Sequence, residues 1–277
     1  MSLPRSSFLG LAAALAGLLG CQTTDEHPPF LAPCEKNCAV LPPISGGGSE
    51  GGSANTSSDA GTGTLEGQVF LTDSSFIQGS LYEKRATVTA DGANGSPVTA
   101  IWQGVAPFDP FMLEGVARVT SNWVSVTPEI GGDALPTYQD LQTYQVTSAK
   151  LGLVSVTALD AVFNAVSTLR SENSAQIIVF FRSASAGTPL SGVHATMAKA
   201  QLGMYATATG WKIDDGTAVT DPSGLVVFGN VEPAAGGNAT QLVTVTRPGT
   251  ATAGAAVQFP IKVVQGAVSI AALGVQL

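Results

Sequence analysis

Thr220–Val231 reads T-D-P-S-G-L-V-V-F-G-N-V, and it sets the texture of the whole chain. Asp221 is placed to accept backbone N–H bonds across its own turn, Pro222 presets φ, and Gly224 takes the position that asks for φ > 0. Leu225–Val231 follows as a strand. A turn of this kind is structural, not a site of chemistry. Upstream, Gln176–Arg182 (Q-I-I-V-F-F-R) reads as another strand, with a turn over Ser183–Thr188 and P-L-S-G-V at Pro189–Val193. Downstream, Gln241–Thr246 and Val257–Val264 read as closing strands and Val268–Leu273 as an edge strand.

The order strand, P-L-S-G-V, T-D-P-S-G, closing strands resembles the carboxypeptidase regulatory-like, transthyretin-like β-sandwich. The resemblance covers about the last hundred residues and implies a non-catalytic accessory module, because the zinc ligands of that family lie elsewhere. Between Lys199 and Thr217 the chain departs from the pattern, with Gly203-Met204-Tyr205 and Trp211–Gly216 as an added strand or loop.

The same texture continues toward the N-terminus. Candidate strands are Leu65–Leu71, Arg85–Ala90, Val98–Gln103, Phe111–Thr120, Trp123–Thr127 and Gln142–Val146, separated by breakers such as Asp91–Gly95 and Gly131-Gly132-Asp133. Turn signals every ten residues or so mark a sandwich or barrel. One segment differs. Leu159, Val162, Phe163, Val166 and Leu169 recur at helical spacing, with Thr157 placed to cap, Asp160 in the first turn and Arg170 in the last, which predicts a helix over Ala158–Ser171. The expected fold is all-β: two Ig-like or transthyretin-like sandwiches, residues 64–157 and 173–277, joined by one short amphipathic helix over 158–172.

Composition narrows the function classes. The 277 residues include 32 Gly but only 12% charged residues, which argues against a charge-laced helical bundle. Lys+Arg 12 against Asp+Glu 20 leaves a net charge of −8, and with no basic cluster there is no footprint for nucleic acid.

The N-terminus supplies an address. Arg5 precedes an apolar run from Phe8 to Leu19, too short for the roughly 20 residues that span a bilayer, so residues 1–20 read as an export signal. The run ends in Leu18-Leu19-Gly20-Cys21, which resembles the lipobox of bacterial lipoproteins. That resemblance implies cleavage before Cys21 and acylation of it, with Gln22 next in line implying the outer membrane. Multiple acyl chains anchor a protein stably where one does not. The remaining cysteines, Cys34 and Cys38, form an even pair in an oxidising compartment and are read as a small disulfide loop. A redox motif would need two intervening residues, and no second pair exists for zinc.

Pro42–Gly63 has seven Gly and five Ser in 22 residues, so residues 21–63 read as a lipidated, disordered tether. Gly46, Gly48 and Gly51 fit G-x-G-x-x-G, while Gly47, Ser49 and Gly51 fit G-x-S-x-G. Both patterns are refused because neither has a strand before it and a helix after it.

Candidates for chemistry in the folded part are sparse. His194 lies in the probable strand V-H-A-T-M and would serve a hydrolase only with a Ser or carboxylate within about 3 Å; His27 lies in the tether. Asp214, Asp215 and Asp221 offer oxygen atoms for Ca²⁺ without the spacing of an EF-hand, and turn carboxylates are the simpler reading. Trp102, Trp123, Trp211, Tyr138 and Tyr144 would form a sugar-binding platform only if exposed and coplanar. The expectation is therefore a lipid-anchored envelope protein, not an enzyme, with no cofactor or metal, its membrane contact made through lipid and any envelope protein or glycan partner unidentified.

Overall fold

The computed structural model describes residues 61–275 apart from 78, 130–131, 145, 234–235 and 247–255. Residues 1–60, which carry the export signal, Cys21, Cys34, Cys38, His27 and most of the tether, lie outside the described residues.

The fold is all-β with one short helix. The first module comprises β1 (Thr62–Thr72), β2 (Gly79–Leu81), β3 (Ala86–Asp91), β4 (Pro97–Trp102), β5 (Phe111–Ala117), β6 (Asn122–Pro128), β7 (Ala134–Leu135), β8 (Thr137–Leu141) and β9 (Ser148–Ser155). Helix α1 (Val156–Ala165) follows. The second module comprises β10 (Ala175–Ser183), β11 (His194–Met197), β12 (Leu202–Thr207), β13 (Gly210–Ile213), β14 (Leu225–Val231), β15 (Asn238–Thr246), β16 (Val257–Val264) and β17 (Val268–Val275).

These strands form three sheets. A nine-stranded sheet runs β13-β12-β14-β10-β17-β8-β6-β3-β4, a five-stranded sheet runs β2-β1-β9-β7 with β5 also on β1, and β11-β15-β16 form a third. The two modules therefore share one sheet, joined where β17 pairs in parallel with β8 through Val268–Thr137, Ser269–Tyr138 and Ile270–Gln139. Residues 158–172 are not the sole connection between them.

Strand alternation assigns the layers. Val88, Val124 and Val126 face the five-stranded sheet in one core with Leu65, Val69, Leu113, Leu151 and Leu153. On the same side of the shared sheet, Ile178, Phe180, Val227 and Ile270 meet Leu159, Val162 and Phe163 of α1. The opposite side of β10, β14 and β17 packs Val179, Phe181 and Val226 against Val243, Ile261 and Val263 of the three-stranded sheet. Residues 175–181 of β10 are consequently all buried, as a strand covered on both faces requires. Beyond β17 that third layer stops. Thr87, Thr89, Ser125 and Thr127 are half-buried or exposed, and Ile101 is 42% exposed, so among the described residues this half of the shared sheet presents one bare face.

Several expected elements move. The helix begins two residues before the expected start and ends at Ala165 rather than Ser171, with Ser155, not Thr157, accepting from the Ala158 amide as N-cap. Ser167 adopts φ 56°, which ends the helical path, and Leu169 is 82% exposed instead of extending the apolar stripe. Arg170 lies beyond the last turn but still pairs with Asp160, Nε to Oδ1 at 2.7 Å. The strand expected over Gln142–Val146 is replaced by β8 and β9 on either side, because Thr143 takes a turn role, donating to the Ala117 carbonyl and accepting from the Val119 amide at 3.3 Å. Val268–Val275 is central rather than an edge, flanked by β10 and β8. Strand β1 already starts at Thr62, inside the stretch assigned to the tether.

Candidate functional site

At His194 a titratable ring meets a carboxylate, a hydroxyl and a phenol in partial burial. His194 opens β11, directly opposite Thr246 of β15. Its ring Nε2 lies 3.1 Å from Asp214 Oδ2 and its Nδ1 lies 3.4 Å from Thr246 Oγ1, and the Asp and His side chains are 18% and 17% exposed. The ring stacks near-parallel to Tyr205, with centroids 6.3 Å apart and planes at 13°.

The sequence folds this way because two edges meet here. Hairpin β12–β13 closes one end of the shared sheet, and the Asp214 amide extends it by donating to the Gly203 carbonyl at 2.7 Å. Edge strand β11 lies on the facing sheet. Tyr205 crosses between them: its hydroxyl accepts from the Ala195 amide at 2.8 Å and donates to the Ala195 carbonyl at 2.7 Å. Burial, with the charge of Asp214 adding to it and the Ala195 hydrogen bond working against it, holds this phenol protonated well above its ordinary range.

Thr246, His194 and Asp214 thus occur in the order hydroxyl, imidazole, carboxylate. The expected condition for a hydrolase, a carboxylate near His194, is met. The hydroxyl contact is at the long limit of a hydrogen bond. Asp214 Oδ1 is also engaged, accepting from the Gly216 amide at 2.9 Å, so the carboxylate is built into its turn. Each polar group is tied to a strand edge or a turn, which is the work of a clasp between two sheets.

The three aspartates do not converge. Asp215 pairs with Lys212 at 2.8 Å and accepts from Thr217, and these contacts hold its carboxyl well below the usual range, Lys212 contributing most. Asp221 accepts from the Ser223 amide at 2.9 Å and from its hydroxyl, while Gly224 at φ 69° sits so close to the Phe181 carbonyl that a Cβ would lie 2.3 Å from it. The Asp221–Gly224 turn is therefore built as the sequence reading expects. Among the described residues, no three His, Cys, Asp or Glu side chains come together as metal ligands.

The aromatics disperse. Trp102 is fully buried, donating from Nε1 to the Tyr82 carbonyl at 2.7 Å and stacking on Phe108. Trp211 packs edge-on against Phe76 at 6.2 Å, and Trp123 leans on the second-module core. Tyr138 lies beneath Lys262 Nζ at 4.9 Å, and Tyr144 alone is widely exposed, at 64%. No coplanar exposed platform forms among them. Sequence reasoning also missed Tyr205, whose role depends on a strand ten residues upstream approaching from another sheet; no local signal marks it.

No protein-family model matches the chain, and no curated protein matches it significantly. Among solved structures, the Bacillus anthracis TIE protein is 12% identical over 78% of this chain with a TM-score of 0.21. This chain spans 33% of that one. The shaft pilin SpaA from Lactobacillus rhamnosus GG is 9% identical over 78% of this chain and 100% of its own, also with a TM-score of 0.21. At that level of superposition neither likeness carries a functional argument.

Proposed function

We propose that this protein is a lipid-anchored component of the bacterial cell envelope whose β-sandwich modules bind or space other envelope components without catalysis. The observation that carries the reading is Leu18-Leu19-Gly20-Cys21 at the end of a 12-residue apolar run, followed by a Gly/Ser-rich tether. Placement in the outer membrane, the Cys34–Cys38 disulfide and kinship of the C-terminal module with the carboxypeptidase regulatory-like sandwich belong to the same proposal. The folded part is consistent with a passive frame: its polar groups close turns and edges, and its aromatics fill cores. A sugar-binding reading loses its platform, and a hydrolase reading keeps only the His194–Asp214 pair.

The test is Cys21→Ser. The natural chain is expected to partition into the membrane fraction with acyl mass on its mature N-terminus, and the variant to accumulate uncleaved or leave the membranes. A variant processed and membrane-bound like the natural chain, or a mature protein with a free Cys21 thiol, would show the anchor to be wrong.

A further inference from the structure

Every sheet in this protein has edges, and among the described residues those other than β4 are blunted. Strand β11 is closed by the Tyr205 hydroxyl on Ala195 and by Thr220, which exchanges hydrogen bonds with the backbone of Val193. On β16 the outward positions include Pro260, which has no N–H, and Lys262, whose carbonyl accepts from the Ser269 hydroxyl. Strand β5 carries Glu114 and is bridged by Gly92–Val116 and by the Ala93 amide on the Gly115 carbonyl at 3.0 Å. Strand β13 has four residues including Lys212, while β2 and β7 have three and two. Charged residues, proline, brevity and covering groups are the standard protections of a sheet edge.

Strand β4, Pro97-Val98-Thr99-Ala100-Ile101-Trp102, is a regular six-residue strand without a charged side chain, and its one sequence protection is the proline at its first position. It pairs only with β3 and contains no charged residue in a chain of net charge −8. The Gly92 amide donates to the Ser96 carbonyl at 3.0 Å, and this fixes which residues of the hairpin face each other through hydrogen bonds. The alternation of an antiparallel ladder then turns the backbone groups of Val98 and Ala100 toward β3 and those of Pro97, Thr99 and Ile101 outward.

We propose that β4 is a homotypic docking edge through which two copies of this chain pair antiparallel about Thr99. That register is self-complementary. Thr99 of each copy exchanges two hydrogen bonds with Thr99 of the other, and the Ile101 amide donates to the opposing Pro97 carbonyl; Pro97 has no N–H to return, so the Ile101 carbonyl at either end of the pair bonds to water instead. On the bare face Ile101 comes to lie beside the opposing Pro97, and on the core side Val98 lies beside the opposing Ala100. No charge is buried, whereas a protein partner of opposite charge would find nothing to recognise. The symmetry closes after two copies and joins their shared sheets into one. A six-residue edge covers less than the roughly 1,200 Å² of a stable complex, so the pair forms at high protein concentration, and salt strengthens it by screening the net repulsion. The inference does not rest on the lipid anchor.

The test is Thr99→Cys in the full chain, with Thr89→Cys as control on the same bare face one strand inward. Facing Cα atoms in a hydrogen-bonded pair lie about 5.5 Å apart, inside the range a disulfide spans. Mild oxidation is expected to convert Thr99→Cys to a covalent dimer at least about tenfold faster than Thr89→Cys, the advantage that orientation gives over random encounter. Adding Ile101→Lys abolishes the difference without moving the unfolding midpoint, since Ile101 is exposed. Equal rates for the two cysteine variants overturn the proposal. So does a purified Thr99→Cys chain that stays monomeric while the same thiol cross-links to a different protein in cells.

Discussion

Tyr205 shows how much one side chain can carry at a sheet edge. Its hydroxyl satisfies both backbone groups of Ala195, and its ring backs His194, which in turn holds Asp214. Tyr205→Phe leaves a buried amide and carbonyl without partners, and the expected loss is about 1–3 kcal/mol in urea unfolding. The proton linkage gives a second signature. The folded phenol ionises at higher pH than the unfolded one, so its contribution is fully present below about pH 10 and falls as the pH rises toward the folded value. Stability of the natural chain therefore declines above about pH 10 more steeply than that of Tyr205→Phe, measured as unfolding midpoint against pH. Parallel slopes for the two proteins would show that Tyr205 is not the group responsible.

At the scale of elements, α1 is a short plug rather than a connector. Leu159, Val162 and Phe163 cover the face of the shared sheet opposite the third layer, and the Phe163 ring reaches Gly229 of β14 so closely that a Cβ there would lie 2.7 Å from it. Glycine at 229 is thus a packing requirement. Phe163→Ala removes a fully buried ring and is expected to cost about 3–5 kcal/mol, measured by chemical denaturation, because the strands around it cannot close the cavity. The helical spacing from Leu159 to Phe163 is legible in the sequence, since period and burial agree there. Leu169 fits the same period yet is exposed. Backbone at Ser167 leaves the helix first, and a periodic pattern says nothing about where a chain turns.

The whole molecule is bound together by β17. Because it pairs with β10 on one side and β8 on the other, neither module can lose its sheet without exposing the neighbour's. One cooperative unfolding transition is expected, with calorimetric and van't Hoff enthalpies in agreement. Two resolved transitions would mean that the modules are thermodynamically independent and the shared sheet is weak. Three layers over one half of this sheet and two over the other leave the bare face, and β4 lies at its far margin.

Turn chemistry and alternation were enough to establish an all-β chain, most of its strands and the Asp221–Gly224 turn, because these depend on residues adjacent in sequence. The proposed membrane address is likewise written in neighbouring residues, from Arg5 to Cys21. Which strands became partners was decided only in three dimensions: β8 with β17, the Tyr205 hydroxyl with Ala195, His194 with Asp214. Those contacts join residues on different strands and sheets, and their stability comes from layers closing over one another, a property that no local pattern of residues encodes.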